Sequence, residues 1–314
     1  MKFRKISTAF LFAALASLPL AGWSPVSTAS AAKIDPHTPV AKYGTVNTSV
    51  KPAGIKTFSD GGASLAYEGT GQQVSASQPT FNRVNPAGTG TVGTQSVIGT
   101  DQRTQVTNTT AFPYRAIAHI ESDIGGCTGW MIGPRTVATA GHCVYDPGTR
   151  RWASWAKVYP GRNGSSTPYG YANAVNFFSV SGWVQNGDTN YDYAAIKLDK
   201  DIGNSTGWIG YRWQSGSMNG IAENISGYPG DKAYGTQWQH ADQIRETYTL
   251  KLHYANDTYG GQSGSPVYES YHSSCGGPCS IAVHTNGVYG GNPYNRGTRI
   301  TQTVYNNFNT WKAQ

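Results

Sequence analysis

Apolar side chains in this 314-residue chain recur at every second position over several short runs. In DYAAIKL, residues 192–198, Ala194, Ile196 and Leu198 fall on one side; Tyr193, Ala195 and Lys197 fall on the other. In TYTLKLHY, residues 247–254, Tyr248, Leu250, Leu252 and Tyr254 face one way. Thr247, Thr249, Lys251 and His253 face the other. Side chains alternate across an extended strand, so this period predicts half-buried strands. Turns rich in Gly, Asn and Pro separate the runs, the pattern of an all-β sandwich or barrel. One segment differs. In TQTVYNNFNTWKAQ, residues 301–314, Val304, Phe308 and Trp311 recur at i, i+4 and i+7 and predict a terminal helix with one apolar face. No internal repeat is visible. Charged residues make up 13% and hydrophobic residues 38%. That favours short strands joined by turns over long charged helices and leaves enough apolar material for a core.

The first 32 residues read as a secretory signal. Lys2, Arg4 and Lys5 precede an apolar run from Ala9 to Ala21, and STASAA at 27–32 offers a small-residue cleavage site. Residues 33–95 read as a propeptide, ending in NPAGTGTVGTQ, a flexible and protease-accessible tether. The expected barrels then occupy 96–205 and 206–314, the second carrying the terminal helix. No later segment has the run of about 20 apolar residues that a membrane span needs. The +7 net charge is not a nucleic-acid signal. Residues 1–95 hold eight basic and three acidic residues, whereas the remainder holds sixteen and fourteen. The expectation is an exported monomer without nucleic-acid or membrane partners.

All four cysteines, Cys127, Cys143, Cys275 and Cys279, lie beyond residue 95. Of three possible pairings the local one, Cys127–Cys143 and Cys275–Cys279, is expected in an exported protein. A zinc site is the alternative, and CGGPC has one residue too many for a thioredoxin-type motif.

TYGGQSGSPV, residues 258–267, is either a polar turn or the mount of a nucleophile. A serine hydroxyl is weak near neutral pH and needs a base, itself oriented by a third group. His142, in TVATAGHCVY, follows an apolar run and adjoins a cysteine able to pin its loop. Asp192 opens a strand, where a carboxylate can fix an imidazole tautomer; it can equally be a turn residue like Asp188. Ser263 follows glycines that allow amides to converge, so Gly261 and Ser263 N–H are candidate oxyanion donors. Ser265 precedes Pro266, which biases it to extended geometry.

TAGHC, YDYA and GGQSGSPV, in that order, resemble the chymotrypsin-like serine proteases over residues 96–314. The resemblance implies two six-stranded antiparallel β-barrels, a cleft between them, a C-terminal helix, and catalytic residues at His142, Asp192 and Ser263. Most animal members have Asp at the place of Gln262, where it receives the freed N-terminal ammonium. Gln262 is uncharged, so that ion pair is absent.

Asp257 lies six residues before Ser263, at the place of the pocket acid of trypsin-like enzymes. Counting alone therefore suggests cleavage after Arg or Lys. His284, in IAVHTNGVYGG, opposes that reading, because an imidazole in a pocket wall donates to a carboxylate. GQSGSP, VHTNG and SGYPGDK together resemble the bacterial glutamyl endopeptidases. That resemblance implies cleavage after Glu, and less well after Asp. It places Thr258, His284 and the processed amine of Ser96 at the substrate carboxylate, and it makes Asp257 structural. The partners are then proteins and peptides with acidic residues, and no metal or cofactor is called for. The rival from another class is a non-catalytic binding module stacking sugars on its 20 Tyr and 9 Trp.

Overall fold

Twelve strands between residues 117 and 299 close into two six-stranded antiparallel barrels in this computed structural model. The structure describes residues 34–49, the backbone of 55–59, 63–70 and 97–314. The signal segment, the 85–95 tether and Ser96 lie outside the described residues.

The first barrel comprises β1 (Ile117–Ser122), β2 (Gly125–Gly133), β3 (Thr136–Thr139), β4 (Ala156–Pro160), β5 (Ala172–Val180) and β6 (Ala194–Leu198). Its order is 1-2-3-6-5-4, closed by β4 on β1. The second comprises β7 (Ala222–Gly227), β8 (Gln237–Thr247), β9 (Lys251–Tyr254), β10 (Pro266–His272), β11 (Gly277–Asn286) and β12 (Asn295–Arg299). Its order is 7-8-9-12-11-10, closed by β10 on β7. The two barrels thus repeat one topology that the sequence does not show as a repeat.

The terminal helix forms over Gln302–Lys312. Thr301 caps it, its hydroxyl accepting from the Val304 amide at 3.3 Å. Val304, Phe308 and Trp311 are buried against the first barrel, with Phe308 and Trp311 beside the Tyr193 ring. This packing corrects one expectation. Tyr193 and Ala195 are buried as well as Ala194 and Ile196, because the helix covers the outer face of β6. Lys197 donates to the Lys312 carbonyl at the helix end, 2.9 Å away.

TYTLKLHY is also not one alternating strand. Thr247 ends β8, residues 248–250 turn, and all four residues of β9 are buried. Leu252 and Tyr254 enter the second core. Lys251 points the other way and is still enclosed. Its ammonium donates to Thr298 Oγ1 at 3.0 Å, and that hydroxyl donates to the Asp192 carbonyl at 2.9 Å. The outer face of β9 therefore looks onto the first barrel rather than onto water.

The region before residue 96 contributes strands, which its composition did not suggest. Pro39–Ala41 runs antiparallel to the end of β5. A hairpin of Ile55–Ser59 and Ala63–Tyr67 adds to Gly210–Gln214, itself parallel to β11. The extensions add to sheet edges that lie beside the barrel closures.

Candidate active site

Asp192 is fully buried and grips His142 at two points. One carboxylate oxygen lies 2.8 Å from Nδ1 and the other accepts the His142 amide at 3.0 Å. The fold forces this approach. His142 sits in a short 3-10 turn after β3, and Asp192 in the turn before β6, the strand paired with β3. A side chain at Gly141 would come within 3.0 Å of that carboxylate, so glycine is required there. Burial of the ring pulls the His142 pKa down, but the Asp192 carboxylate outweighs it and the net shift is upward. Burial pushes Asp192 up, and the imidazole and its hydrogen bonds reverse this to a net lowering.

The Ser263 backbone lies beside the histidine turn. Its carbonyl accepts the Thr128 amide at 2.8 Å and lies 3.6 Å from Sγ of Cys143, the residue after the histidine. Cys143 is joined to Cys127, and Cys275 to Cys279. The first disulfide staples the histidine turn to β2. Replacing Cys127 and Cys143 by Ser is expected to lower unfolding stability by about 3 kcal/mol, from loop-closure entropy. Urea denaturation at fixed pH reads this, and an unchanged midpoint would reject the staple.

Gly261 has φ +100° and Gly264 φ +88°, backbone conformations open mainly to glycine. A Cβ on Gly264 would lie 2.0 Å from the Thr128 carbonyl oxygen. Among the described residues, the amides of Gln262, Gly264 and Ser265 have acceptors, whereas those of Gly261 and Ser263 have none. Two donors are thus left for a ligand beside the serine. Thr128 completes the mount by donating its hydroxyl to the Gly261 carbonyl at 2.8 Å.

β11 flanks the serine loop. The Gly264 amide donates to the His284 carbonyl, and the His284 amide donates to the Ser265 carbonyl. His284 is buried, and its Nδ1 lies 2.8 Å from the Tyr254 hydroxyl. Burial, with the His142 and Lys251 charges nearby, pushes its pKa down to about 3. It is therefore a neutral hydrogen-bonding group rather than a cation. Thr258 is fully buried, and its hydroxyl has no partner among the described residues.

Asp257 does not face such a pocket as an open acid. It is 1% exposed, and its two oxygens accept the amides of Ile98 and Gln102, each at 2.7 Å. It clamps the segment that follows Ser96.

A sequence model of the family described as Trypsin matches residues 101–311. The chain belongs to the trypsin family. Within this family it is 54% identical over 282 residues to the glutamyl endopeptidase of Bacillus licheniformis, covering 88% of each chain. It is 48% identical over 231 residues to a Bacillus subtilis protein named extracellular metalloprotease, covering 71% of this chain and 72% of that one. A solved structure described as Glu endopeptidase in complex with MPD matches with TM-score 0.65 at 36% identity. It covers 69% of this chain and all of the other.

The Bacillus subtilis name implies a metal, and the described residues offer no ligand set that fits one. Among the described residues, one set of three His, Cys, Asp or Glu ligand atoms lies within 4.8 Å, that of Cys127, His142 and Cys143. Its two sulfurs are bonded to each other. Thr128, Lys251 and Tyr254 bear on this site although no sequence motif singles them out. Each does so through a contact between distant segments.

Proposed function

We propose that this protein is a secreted serine endopeptidase that hydrolyses peptide bonds on the C-terminal side of Glu, and less readily of Asp. The observation that carries this reading is the two-point grip of Asp192 on His142, beside the backbone that mounts Ser263. Ser263 attacks the peptide carbonyl while His142 Nε2 takes its proton. Asp192 orients the ring and stabilises the imidazolium. The Gly261 and Ser263 amides receive the oxyanion. His142 then protonates the leaving amine, and water hydrolyses the acyl-enzyme by the reverse steps.

The acidic preference is supported by the similarity to a glutamyl endopeptidase and by the unpartnered Thr258 hydroxyl. His284 adds a neutral donor. The amine of Ser96, freed by processing after Gln95, supplies positive charge to the same carboxylate and so makes the precursor poor at acidic substrates. Residues 1–32 act as the signal, 33–95 as the propeptide, and 96–205 and 206–314 as the two barrel domains of a monomer. The extracellular relative from Bacillus subtilis supports export. The alternative of Arg or Lys specificity through Asp257 is disfavoured because that carboxylate already holds two amides.

Digestion of a mixed protein with processed enzyme, followed by sequencing of the new C-termini, tests the reading. Glu is expected at most new ends and Asp at a minority. A majority of Arg and Lys would return the specificity to Asp257. No cleavage, with no organophosphate adduct on Ser263, would favour a binding module.

A further inference from the structure

Gln262 sits where most animal relatives carry an acid, yet it is fully buried and its environment is ionic. Its Oε1 accepts the Tyr259 amide at 3.0 Å, which closes the loop carrying Gly260 and Gly261. The same oxygen lies 3.4 Å from Nη1 of Arg103. Arg103 comes from the segment just after the expected processing point, and its side chain is wholly shielded from solvent.

All five guanidinium N–H donors of Arg103 have a counterpart. Nε and Nη2 donate to Asp101 at 2.9 and 2.8 Å. Nη1 and Nη2 donate to Asp231 at 3.0 and 2.5 Å. Nη1 reaches Gln262 with the fifth. Lys232 donates to Asp101 at 2.8 Å, so two carboxylates meet two cations and the cluster is neutral. Burial works against the Arg103 charge, and the two carboxylates more than restore it. A planar fork with five donors suits this junction, and the ammonium of lysine does not.

The junction ties three separate segments together. The N-terminal segment is held by Asp257 through Ile98 and Gln102, and by pairing of Thr104–Val106 with β8. The Asp231 loop is held to the serine loop by the Gly230 amide on the Gly260 carbonyl, 2.7 Å away. Gln262 belongs to the serine loop itself.

We propose that Arg103 is a positioning residue for the oxyanion donors, acting through Gln262. It replaces the terminal ammonium–Asp pair of the animal enzymes by a side chain that needs no free amine. This rests on the Gly261 and Ser263 assignment above and adds a cause for it. The oxyanion loop is consequently set before processing, because neither the Asp257 clamp nor the Arg103 junction uses the Ser96 amine. Processing then changes recognition of the acidic side chain and leaves the oxyanion site as it was.

The test uses the processed enzyme with a Glu-containing peptide ester. Gln262→Met removes the acceptor at similar size, and Arg103→Lys keeps the charge but loses the fork. Each is expected to lower kcat about 10- to 100-fold, a fraction of what losing a whole oxyanion donor costs, with KM within about threefold. A peptide aldehyde inhibitor that mimics the tetrahedral state should weaken in parallel with kcat. The double variant should be no worse than the poorer single one. If Arg103→Lys fails to fold, Gln262→Met alone decides. An unchanged kcat in Gln262→Met, or a loss confined to KM or thermal stability, would overturn the positioning role. An inactive wild type would instead defeat the triad assignment. In a second arm, organophosphate labelling of Ser263 in the uncut chain should run within about threefold of the processed rate. Labelling slower by more than about 30-fold would overturn the claim that the loop is set before cleavage.

Discussion

Asp192→Asn is expected to lower kcat about 10⁴-fold with KM close to wild type, the size seen when this kind of triad loses its acid but keeps its geometry. The cause lies in the two contacts to His142. The wild-type carboxylate accepts from both Nδ1 and the backbone amide. An asparagine can keep the amide bond with its carbonyl oxygen, which turns its NH₂ toward Nδ1. The ring proton then moves to Nε2, the nitrogen that must take the serine proton. Steady-state kinetics on a Glu peptide measure the effect. A kcat within tenfold of wild type would remove Asp192 from the proposed mechanism.

The same pair sets two pH dependences. The proposed mechanism requires neutral His142, whose pKa is raised in the folded protein, so kcat/KM should fall as pH drops through a value above 6.5. In Asp192→Asn the attraction is gone, and the acid limb should move to lower pH even as the plateau drops. Stability has the opposite sign for the two partners. The raised His142 pKa contributes stability that is complete below its unfolded value of 6.5 and lost as pH rises through the folded one. The lowered Asp192 pKa contributes stability present above its unfolded value of 3.8 and lost as pH falls through the folded one. The melting difference between wild type and variant should therefore be largest between 3.8 and 6.5.

Legibility in the sequence followed the range of the determining interaction. The helix over residues 302–312 was readable because its apolar stripe is local. His142, Asp192 and Ser263 can be nominated from sequence because each stands in a short run with glycines or a strand beside it. Lys251 was misread because its burial depends on which strand lies across from it. Alternation says that a side chain leaves one core, and it does not say that a second barrel waits on the other side. Arg103 was unreadable for a similar reason. Its partners at 101, 231 and 262 come together only when two loops and the N-terminal segment are docked. The barrel closures are likewise a property of pairing, and the shared topology of the two halves survives without any shared sequence.

His284→Leu should lower kcat/KM for Glu substrates by about 10²-fold while substrates with Leu before the scissile bond lose far less. A buried carboxylate deprived of one donor loses roughly 1–3 kcal/mol, which is the basis of that figure. The Tyr254 hydroxyl contacts Nδ1, and when it donates there the single ring proton of neutral His284 sits on Nε2. That leaves a donor available to an incoming carboxylate. Tyr254→Phe should therefore cost about tenfold on Glu substrates, because the ring is then free to take the other tautomer. The low His284 pKa adds a check that a charged histidine would fail. With a value near 3 the group does not titrate in the working range, so KM for Glu peptides should stay flat from about pH 5.5 to 7. An imidazolium contact would make KM rise as pH passes 6.5. A rise there, or a Leu variant with intact Glu preference, would move recognition from His284 to the other groups around the site. Thr258 and the processed amine would then carry the acidic selectivity alone.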